Sequence, residues 1–338
     1  MRRLVPLLID WLRLLAGLPV FWASERTPAS AFAAMIRLHT STNGASSALM
    51  QAALRPLRRS QPIGLLRAAD DVFGALATAE LQATIERLRV DGFAILPQRV
   101  PPATIERLRR FAETTPGEAW DAAGNVTPLR VYDRADTRVA KLQLYTRDLV
   151  NQPDIQDLAG DPALVGIVQA YLGCAPLLDT INMWWSTPHS ERPSDEIAQT
   201  FHFDLDRLRW LKVFIYLTDV DQHRGPHVFV RGSHRRDGRD AQLVSRGYVR
   251  IADEEIVARH GAERLVEICG FAGTVLIEDT SGFHKGVLPG AGDRLMLELQ
   301  FSCAGFGANY ERMRVTGTPT PRFARSRQAL PRVYEAFE

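Results

Sequence analysis

A histidine and a carboxylate stand two residues apart in the stretch TFHFDLD, residues 200–206. In an extended chain residues i and i+2 point to the same side, so His202 and Asp204 project together. Aspartate is uncommon in strands, and a buried carboxylate needs a partner for its charge. In a solvated edge strand an isolated H-x-D pair has no chemical role, so the interpretation depends on which other groups can reach it.

Two such groups follow later in the chain, in the run GTVLIEDTSGFHKGVLPGAGDRLMLEL. A strand over 274–278 leads through a short turn to His284, and a second turn leads into a strand that begins at Arg294. In a jelly roll these strands face one another inside the barrel, so His284 can meet His202 and Asp204. Two imidazoles and one carboxylate on one side of a metal form the facial triad of non-haem Fe(II) oxygenases.

Such a triad leaves three positions of an octahedral iron open, two for a chelating oxo-acid and one for O₂. Arg294 is placed to hold the far end of that acid, because a guanidinium can pair bidentately with the distal carboxylate of 2-oxoglutarate. Singly, each of these residues is more often a core or surface residue. Their conjunction favours a metal site, and a bound cation would offset the burial of Asp204.

The same segments resemble the phytanoyl-CoA dioxygenase family of Fe(II)/2-oxoglutarate oxygenases over residues 79–315. VDGFAILPQRVPPATIERLRRF resembles the family's entry segment, FHFD its proximal metal motif, KVFIYLTDVDQHRGPHVFVRGSH its central strands and HKGVLPGAGDR its distal His/Arg segment. The resemblance implies that the iron ligands are His202, Asp204 and His284. It also implies Arg294 as the anchor of 2-oxoglutarate.

The resemblance further implies three residues beside the cosubstrate, namely Lys141 in VAKLQ, Asn182 in TINMWWS and Phe214. Alternation in the second segment puts Asn182 and Trp184 on one face. A plain core role for Phe214 and a satisfied strand role for Asn182 stay open. The family often has a small hydroxyl residue two positions after the distal histidine, where this chain has Gly286, so that contact is missing or supplied elsewhere.

The composition of the chain gives no reason to expect nucleic acid as a partner and otherwise excludes few functions. The chain has 338 residues and a net charge of +2, which gives no argument for a polyanion. Its three cysteines, Cys174, Cys269 and Cys303, are widely spaced, so neither a disulfide framework nor a zinc knuckle is indicated. A reduced, cytoplasmic setting fits best.

Arginine carries nearly all of the positive charge, and lysine occurs only at Lys141, Lys212 and Lys285. A lysine retained against this bias is of some interest. Lys285 follows the predicted metal histidine directly and is expected to face solvent, with a substrate-facing side chain as the alternative.

The order of elements predicts the fold class. Helical periodicity dominates from residue 79 to 173, whereas the chain after 175 consists of short strand-like runs separated by glycine, proline, aspartate and serine. This order predicts an α+β protein with a double-stranded β-helix, or jelly-roll, core and flanking helices. Residues 76–338 are expected to form this domain.

Residues 1–75 are predicted to be an N-terminal helical extension. Asp10 and Arg13 interrupt the apolar run at its start, which argues against a secretion signal and a transmembrane segment. An amphipathic helix fits better. We expect it to dock on its own fold, with a membrane surface or a carrier protein as the alternative.

These observations predict an Fe(II)- and 2-oxoglutarate-dependent dioxygenase that uses O₂ and releases succinate and CO₂. Its substrate is expected to be a small-molecule metabolite or natural-product intermediate, free or bound to CoA or a carrier, hydroxylated at an unactivated C–H. Desaturation or cyclisation uses the same ligands. A non-catalytic metal-binding jelly roll and a zinc hydrolase are rivals from other classes, although a hydrolase needs no arginine for an oxo-acid. Halogenation is disfavoured because Asp204 occupies the position where halide would bind.

Overall fold

The computed structural model describes residues 4–62, 71–74, 78–136, 138–189, 195 and 198–338. Two antiparallel sheets face each other in this part of the chain, and helices cover the outer face of the larger sheet. The predicted α+β class and jelly-roll core are confirmed.

The strands begin in the second quarter of the chain. Within the described residues they are β1 (Phe93–Ile95), β2 (Gly117–Trp120), β3 (Val126–Arg130), β4 (Lys141–Leu144), β5 (Leu177–Ser186), β6 (Trp210–Tyr216), β7 (His227–Val230), β8 (Leu265–Ile268), β9 (Val275–Glu278), β10 (His284–Gly286) and β11 (Arg294–Ser302). The larger sheet has the order β1-β9-β6-β11-β5-β4-β2-β3 and the smaller sheet the order β10-β7-β8. Neighbouring strands are antiparallel throughout.

The α-helices of the described residues are α1 (Leu4–Ser24), α2 (Ala29–Ser41), α3 (Ala45–Leu54), α4 (Thr78–Asp91), α5 (Pro102–Thr114), α6 (Thr146–Leu149), α7 (Pro153–Ala159), α8 (Pro162–Leu172), α9 (Ala241–Ser245), α10 (Asp253–His260) and α11 (Pro321–Ala329). Local chemistry sets several ends. Proline occupies the first turn of α5 and α8, where no backbone donor is lost. Asp161 caps α8 by accepting from the N–H of Ala163, and Gly173 ends the helix in the left-handed region.

Alternation along the central strands separates the core from the interior of the barrel. In β11 the residues packed towards the helices are Leu295, Leu297, Leu299 and Phe301. The residues between them face the space between the sheets: Arg294, Met296, Glu298 and Gln300. The period of two that makes a half-buried strand therefore also delivers the polar groups of the site.

The two sheets meet through a compact apolar cluster at one end of this space. Phe214 and Tyr216 of β6 and Met296 of β11 pack there against Phe229 of β7 and Ile268 of β8. This cluster joins the two sheets, and one of its residues, Phe214, also lines the polar cavity beside it.

Three parts of the structure differ from the sequence-based expectation. β2, β3 and β4 extend the large sheet before residue 175, and α9, α10 and α11 interrupt the strand-rich half after it. The stretch at 200–206 is no full strand, because only Phe201 and His202 form isolated bridges, to Ile251 and His284. Short elements such as these depend on long-range pairing and carry little local signal.

The N-terminal extension packs on the barrel domain through α2, α3 and the turn that follows. His39 of α2 contacts Arg239 at 3.1 Å, and Arg58 donates to the carbonyl of Ala175 at 3.1 Å. Leu38 and Met50 belong to the same buried core as the large sheet. The expected docking of the extension on its own fold is thus seen for these helices. The predicted boundary between residues 75 and 76 lies outside the described residues.

By length and composition alone, the segment Val5–Ser24 of α1 is long and apolar enough to cross a membrane. In the folded protein 17% of this segment is buried. Asp10 lies on the buried side of the helix and pairs with Arg37 of α2 at 2.7 Å. This ion pair holds α1 against α2, beside the buried Leu14 and Leu18.

Candidate active site

The three predicted metal ligands lie side by side where the 200–206 segment meets β10. His202 and His284 form an antiparallel bridge in which each N–H donates to the other's carbonyl, at 3.0 and 2.9 Å. The N–H of Asp204 donates to the carbonyl of Thr280 at 2.9 Å. This register directs the three side chains to one point inside the barrel.

The ligand atoms converge closely. His202 Nε2 lies 3.8 Å from Asp204 Oδ1, and His284 Nε2 lies 3.8 Å from Asp204 Oδ2. One donor atom from each of the three residues lies within 4.8 Å of the other two, and all three residues are buried. Two nitrogens and one oxygen on one side of a common centre are the donor set of a non-haem Fe(II) facial triad.

Both imidazoles are held in the form that binds a metal. The Nδ1 atoms of His202 and His284 lie 2.9 and 3.0 Å from the carbonyls of Thr200 and Gly282. A carbonyl only accepts, so each Nδ1 carries the hydrogen and each Nε2 presents its lone pair to the centre. Burial lowers the pKa of His202 to about 3 and also lowers the pKa of His284, so both rings are neutral.

Lys212 of β6 is a site residue that the sequence did not identify. Its ammonium lies 3.0 Å from Asp204 Oδ2 and 3.7 Å from Glu298 Oε2, with all three side chains nearly buried. Burial alone would raise the pKa of Asp204, but the Lys212 ammonium beside it holds that pKa well below its usual range. The ligand carboxylate is therefore ionised. The only signal in the sequence was a lysine in an arginine-biased chain.

Arg294 begins β11 and is buried, with 4% of its surface exposed. Its guanidinium donates to the carbonyl of Gly225 and, at 3.2 Å, to Ser186 Oγ, whereas its buried Nε has no acceptor. No carboxylate among the residues that the structure describes lies within ion-pair distance of it. Burial lowers the pKa of Arg294 to about 10, which leaves it charged at neutral pH.

The contact with Arg294 explains why residue 286, where the family often has a hydroxyl residue, is a glycine. A Cβ on Gly286 would lie 3.3 Å from Arg294 Nη2, so a larger residue there would crowd the guanidinium. The hydroxyl beside Arg294 belongs instead to Ser186, which faces Arg294 in the β5–β11 register. A hydroxyl beside Arg294 is thus present on β5, and its contact with the cosubstrate carboxylate stays a prediction.

Lys141 of β4 lines the same cavity, as the family resemblance implied. Its ammonium lies 5.3 Å from the ring centroids of both Trp120 and Trp184. Burial lowers the pKa of Lys141 to about 8. This desolvated cation between two aromatic faces is a further group that an anionic ligand would stabilise.

Asn182 and Phe214 also line the cavity, on β5 and β6. The Asn182 amide is already engaged, since it donates to Glu298 Oε1 at 3.0 Å and accepts from Gln143 Nε2 at 3.2 Å. The Phe214 ring packs edge-on against His227 at 4.5 Å. The predicted shared face of Asn182 and Trp184 is seen, and roles for Asn182 and Phe214 towards the cosubstrate stay predictions.

Lys285 does not face solvent as expected. The residue is 8% exposed, and its ammonium pairs with Asp253 of α10 and lies 4.8 Å from the Phe201 ring centroid. The expectation failed because α10, which supplies the partner, was not predicted. Lys285 consequently braces β10 beside His284 and points away from the metal centre's ligand atoms.

The donor set fits iron and 2-oxoglutarate together. One cavity of about 580 Å³ is lined by the triad and also by Arg294 and Lys141. Three buried ligands suit Fe(II), and a buried guanidinium with an unpaired Nε suits a carboxylate that arrives with the ligand. His202, Asp204 and His284 would hold the iron.

A second cavity of about 880 Å³ adjoins the first. Asp179 and Tyr310 line both, so they form the wall between them. Arg207 contacts both of these residues, since it pairs with Asp179 at 2.6 Å and lies over the Tyr310 ring at 4.7 Å. The far side of the second cavity is built by α1, including Phe21 and Trp22.

The sequence model of the phytanoyl-CoA dioxygenase (PhyH) family matches residues 88–287, more than half of the chain. No curated protein sequence matches.

Several solved structures are similar to this chain at low identity. The non-heme alpha ketoglutarate dependent epimerase SnoN from nogalamycin biosynthesis is 16% identical, with 67% of this chain and 84% of that chain covered and a TM-score of 0.47. The carbocyclase SnoK from the same biosynthesis is 18% identical, with 68% and 87% covered and a TM-score of 0.46. EctD from S. alaskensis is 19% identical, with 79% and 92% covered and a TM-score of 0.46.

Proposed function

The chain belongs to the phytanoyl-CoA dioxygenase family of Fe(II)/2-oxoglutarate-dependent oxygenases, and from this premise we propose that it hydroxylates an unactivated C–H bond of a small molecule. The substrate is a metabolite or natural-product intermediate, free or bound to CoA or a carrier. When bound, iron and 2-oxoglutarate supply the oxidation of the C–H bond, with O₂ consumed and succinate and CO₂ released.

One observation carries the proposal most strongly. A buried 2-His-1-carboxylate cluster and a buried arginine without a carboxylate partner among the described residues share one cavity. A metal alone would explain the cluster but not Arg294. A dicarboxylate that binds the metal at one end and the guanidinium at the other explains both.

The residues of this chain then have distinct tasks. His202, Asp204 and His284 hold the iron, and the Nδ1 hydrogen bonds keep each imidazole oriented. Arg294, supported by Ser186, binds the distal carboxylate. Because Asp204 fills the third protein position, halide has no vacant ligand site, which favours hydroxylation over halogenation.

The walls of the cavity support a small-molecule substrate. Trp184 and Tyr248 present aromatic surface beside the triad, and the Tyr248 ring lies 6.4 Å from that of His202. The cavity of about 580 Å³ has to hold 2-oxoglutarate as well, so the reacting part of the substrate is small.

We also propose a reducing, cytoplasmic setting. The three cysteines are free thiols, with Cys174 and Cys303 buried and Cys269 exposed. An exposed thiol and an Fe(II) site both persist more readily under reducing conditions.

The proposal is tested by mass spectrometry of candidate metabolites incubated with the protein, Fe(II), 2-oxoglutarate and O₂. Hydroxylation adds one oxygen atom to the substrate and yields one succinate per product. The His284→Ala variant serves as the control for iron-dependent chemistry. A product that has lost two hydrogens and gained no oxygen would replace hydroxylation by desaturation or cyclisation. Substrate conversion without consumption of 2-oxoglutarate would overturn the proposal.

A further inference from the structure

The outward face of α1 is apolar, as is the face that packs on the protein through Leu14 and Leu18. Its exposed large apolar residues, each with between 42 and 61% of its surface exposed, are Val5, Leu8, Ile9, Leu12, Leu15, Val20 and Trp22. From Val5 to Ala23 the one exposed charged residue is Arg13. A helix on the surface of a globular protein typically turns an apolar stripe inward and a polar face outward, whereas α1 is apolar on both faces. A contiguous apolar face of this length marks an interaction surface.

The helix cannot turn to hide this face. Asp10 on the inner side pairs with Arg37 at 2.7 Å. Gly17 approaches α2 so closely that a Cβ there would overlap the Cβ of Ala31. The Phe21 ring packs edge-on against that of Phe306 at 5.6 Å. The inner side is fitted to the domain along its length, so the apolar side stays outward.

The charge of the extension identifies the surface that it fits. Residues 1–62 contain eight arginines and no lysine against Asp10 and Glu25, a net charge of +6. Since the whole chain carries +2, the remainder carries −4. Exposed arginines stand in and just after α1, at Arg13 and Arg26. An apolar helix face bordered by arginines is complementary to an anionic lipid surface.

We propose that α1 docks this enzyme on the surface of an anionic phospholipid bilayer. The apolar face lies at the boundary of headgroups and acyl chains, and the arginines reach the phosphates along the rim. The helix lies in the plane of the surface and does not cross it, because crossing would strip Asp10 from Arg37 and expose the inner face.

Neighbouring residues extend the same surface. Leu57, 57% exposed, lines the second cavity together with Trp22, so both stand at the mouth of that cavity. Arg26 and Arg58 line it too. Apolar and basic groups thus recur together beyond α1.

A second copy of the chain is a poorer occupant of this face. In a two-fold symmetric dimer the face would meet itself, and both extensions, each of charge +6, would be brought together. Like charges at an interface oppose association. Anionic lipid neutralises the same arginines.

Sedimentation of the full-length protein with vesicles tests the proposal. We expect binding to vesicles of phosphatidylcholine mixed with phosphatidylglycerol, little binding to phosphatidylcholine alone, and weakening by salt. An alkaline carbonate wash should release the bound protein, as expected for a surface-docked helix.

Substitutions on the outer face should act on lipid binding alone. The double variant Leu8→Gln with Leu12→Gln should bind at least about tenfold more weakly, since burial of apolar side chains drives insertion. Arg26→Glu should weaken binding by roughly fivefold or more for each unit of charge changed. Matched controls are Phe271→Gln, which alters a 68% exposed phenylalanine between β8 and β9, and Arg110→Glu on α5. Thermal unfolding should match wild type in all four variants.

Three results would overturn the proposal. One is no binding of the folded wild-type protein to anionic vesicles at low salt. Another is a dimer in solution that the Leu8/Leu12 double variant dissociates, which would assign the face to a second copy. The third is protein that resists carbonate and leaves vesicles only in detergent, which would show a helix that crosses the bilayer. None of these readouts depends on iron or 2-oxoglutarate, so the proposed chemistry stands or fails separately.

Discussion

The barrel interior and the outer face of α1 depart from ordinary burial in opposite directions. The barrel hides charge, with Glu298 and Arg294 buried and Lys212 nearly buried around the triad. The helix exposes leucine, valine and tryptophan. Each departure is costly in the isolated chain, since buried charge loses hydration and exposed apolar surface orders water. In both regions a particular ligand would offset this cost in free energy. In the barrel the ligand is a metal with a dicarboxylate, and at the helix it is lipid.

The largest expected effect removes the metal from the barrel. His202→Ala, Asp204→Ala or His284→Ala each deletes one of three converging donors, so iron binding should weaken and hydroxylation should fall below detection. Iron content and succinate formation measure both. An Asp204→Ala protein that still hydroxylates would contradict the assignment of the ligands, while halogenation by that variant would support it.

Next in size is the loss of the carboxylate anchor. Arg294→Ala removes a buried guanidinium and should raise the KM for 2-oxoglutarate by roughly 30-fold to several thousand-fold, equivalent to about 2–5 kcal/mol. Iron binding should change little, because Arg294 does not contact the triad in any observed hydrogen bond. Arg294→Lys keeps the charge but not the two-pronged geometry and should rescue only part of the loss. An unchanged KM would move the anchor to another residue.

Sequence reasoning found the triad and Arg294 but not Lys212. The H-x-D spacing is local and the His/Arg segment has a recognisable motif, so both are readable along the chain. Lys212 meets Asp204 only because β6 lies beside the 200–206 segment, and that pairing is long-range. Lys285 was misjudged for the same reason, since its partner Asp253 belongs to a helix that was not predicted.

The outer face of α1 shows a different limit. The sequence of α1 places apolar residues around nearly the whole circumference of the helix. Hydrophobic periodicity therefore cannot predict which side faces the protein. The packing of Asp10 and Gly17 against α2 decides it. Short strands such as β2 and β3 were missed because their register comes from neighbours and not from their own composition.

A third prediction measures the cost of buried charge in the barrel. Lys212→Met leaves Asp204 and Glu298 without their shared cation and should destabilise the metal-free protein by about 3–5 kcal/mol in denaturant unfolding. Fe(II) should reduce the deficit, because it restores positive charge at Asp204. Lys285→Met is the matched control, since Asp253 is half-exposed and its pair should contribute about 1 kcal/mol or less. Equal losses in the two variants would contradict the special position of Lys212.

A fourth prediction concerns the junction between the extension and the barrel. Burial lowers the pKa of His39 to about 3 from 6.5. Below pH 6.5 the unfolded chain takes up a proton that the folded chain does not, so stability falls as the pH drops from 6.5 towards 3. His39 should account for about 2 kcal/mol of that loss at pH 5. The pH dependence of unfolding should therefore flatten in His39→Gln, and an unaltered slope between pH 7 and 5 would show that His39 is accessible to protons in the fold.

The smallest effect is expected for substitutions in the N-terminal extension on catalytic turnover. Leu8→Gln with Leu12→Gln alters exposed side chains far in sequence from the triad and should leave 2-oxoglutarate turnover in solution within about twofold of wild type. Succinate formation without vesicles measures this. A large loss would mean that the outer face of α1 contributes to the catalytic site, and the contrast between the two regions would then fail.

Binding of 2-oxoglutarate by anaerobic titration calorimetry tests the central claim most directly, because it needs no knowledge of the substrate. Iron-loaded wild-type protein should bind one 2-oxoglutarate per iron. The metal-free protein and the His284→Ala variant should bind it far more weakly. The end of the acid that chelates the metal would then have no partner, and only the distal carboxylate would still be held, by Arg294. Equal binding with and without iron, or no binding to the iron-loaded protein, would contradict an oxygenase site that joins the triad to Arg294 through 2-oxoglutarate.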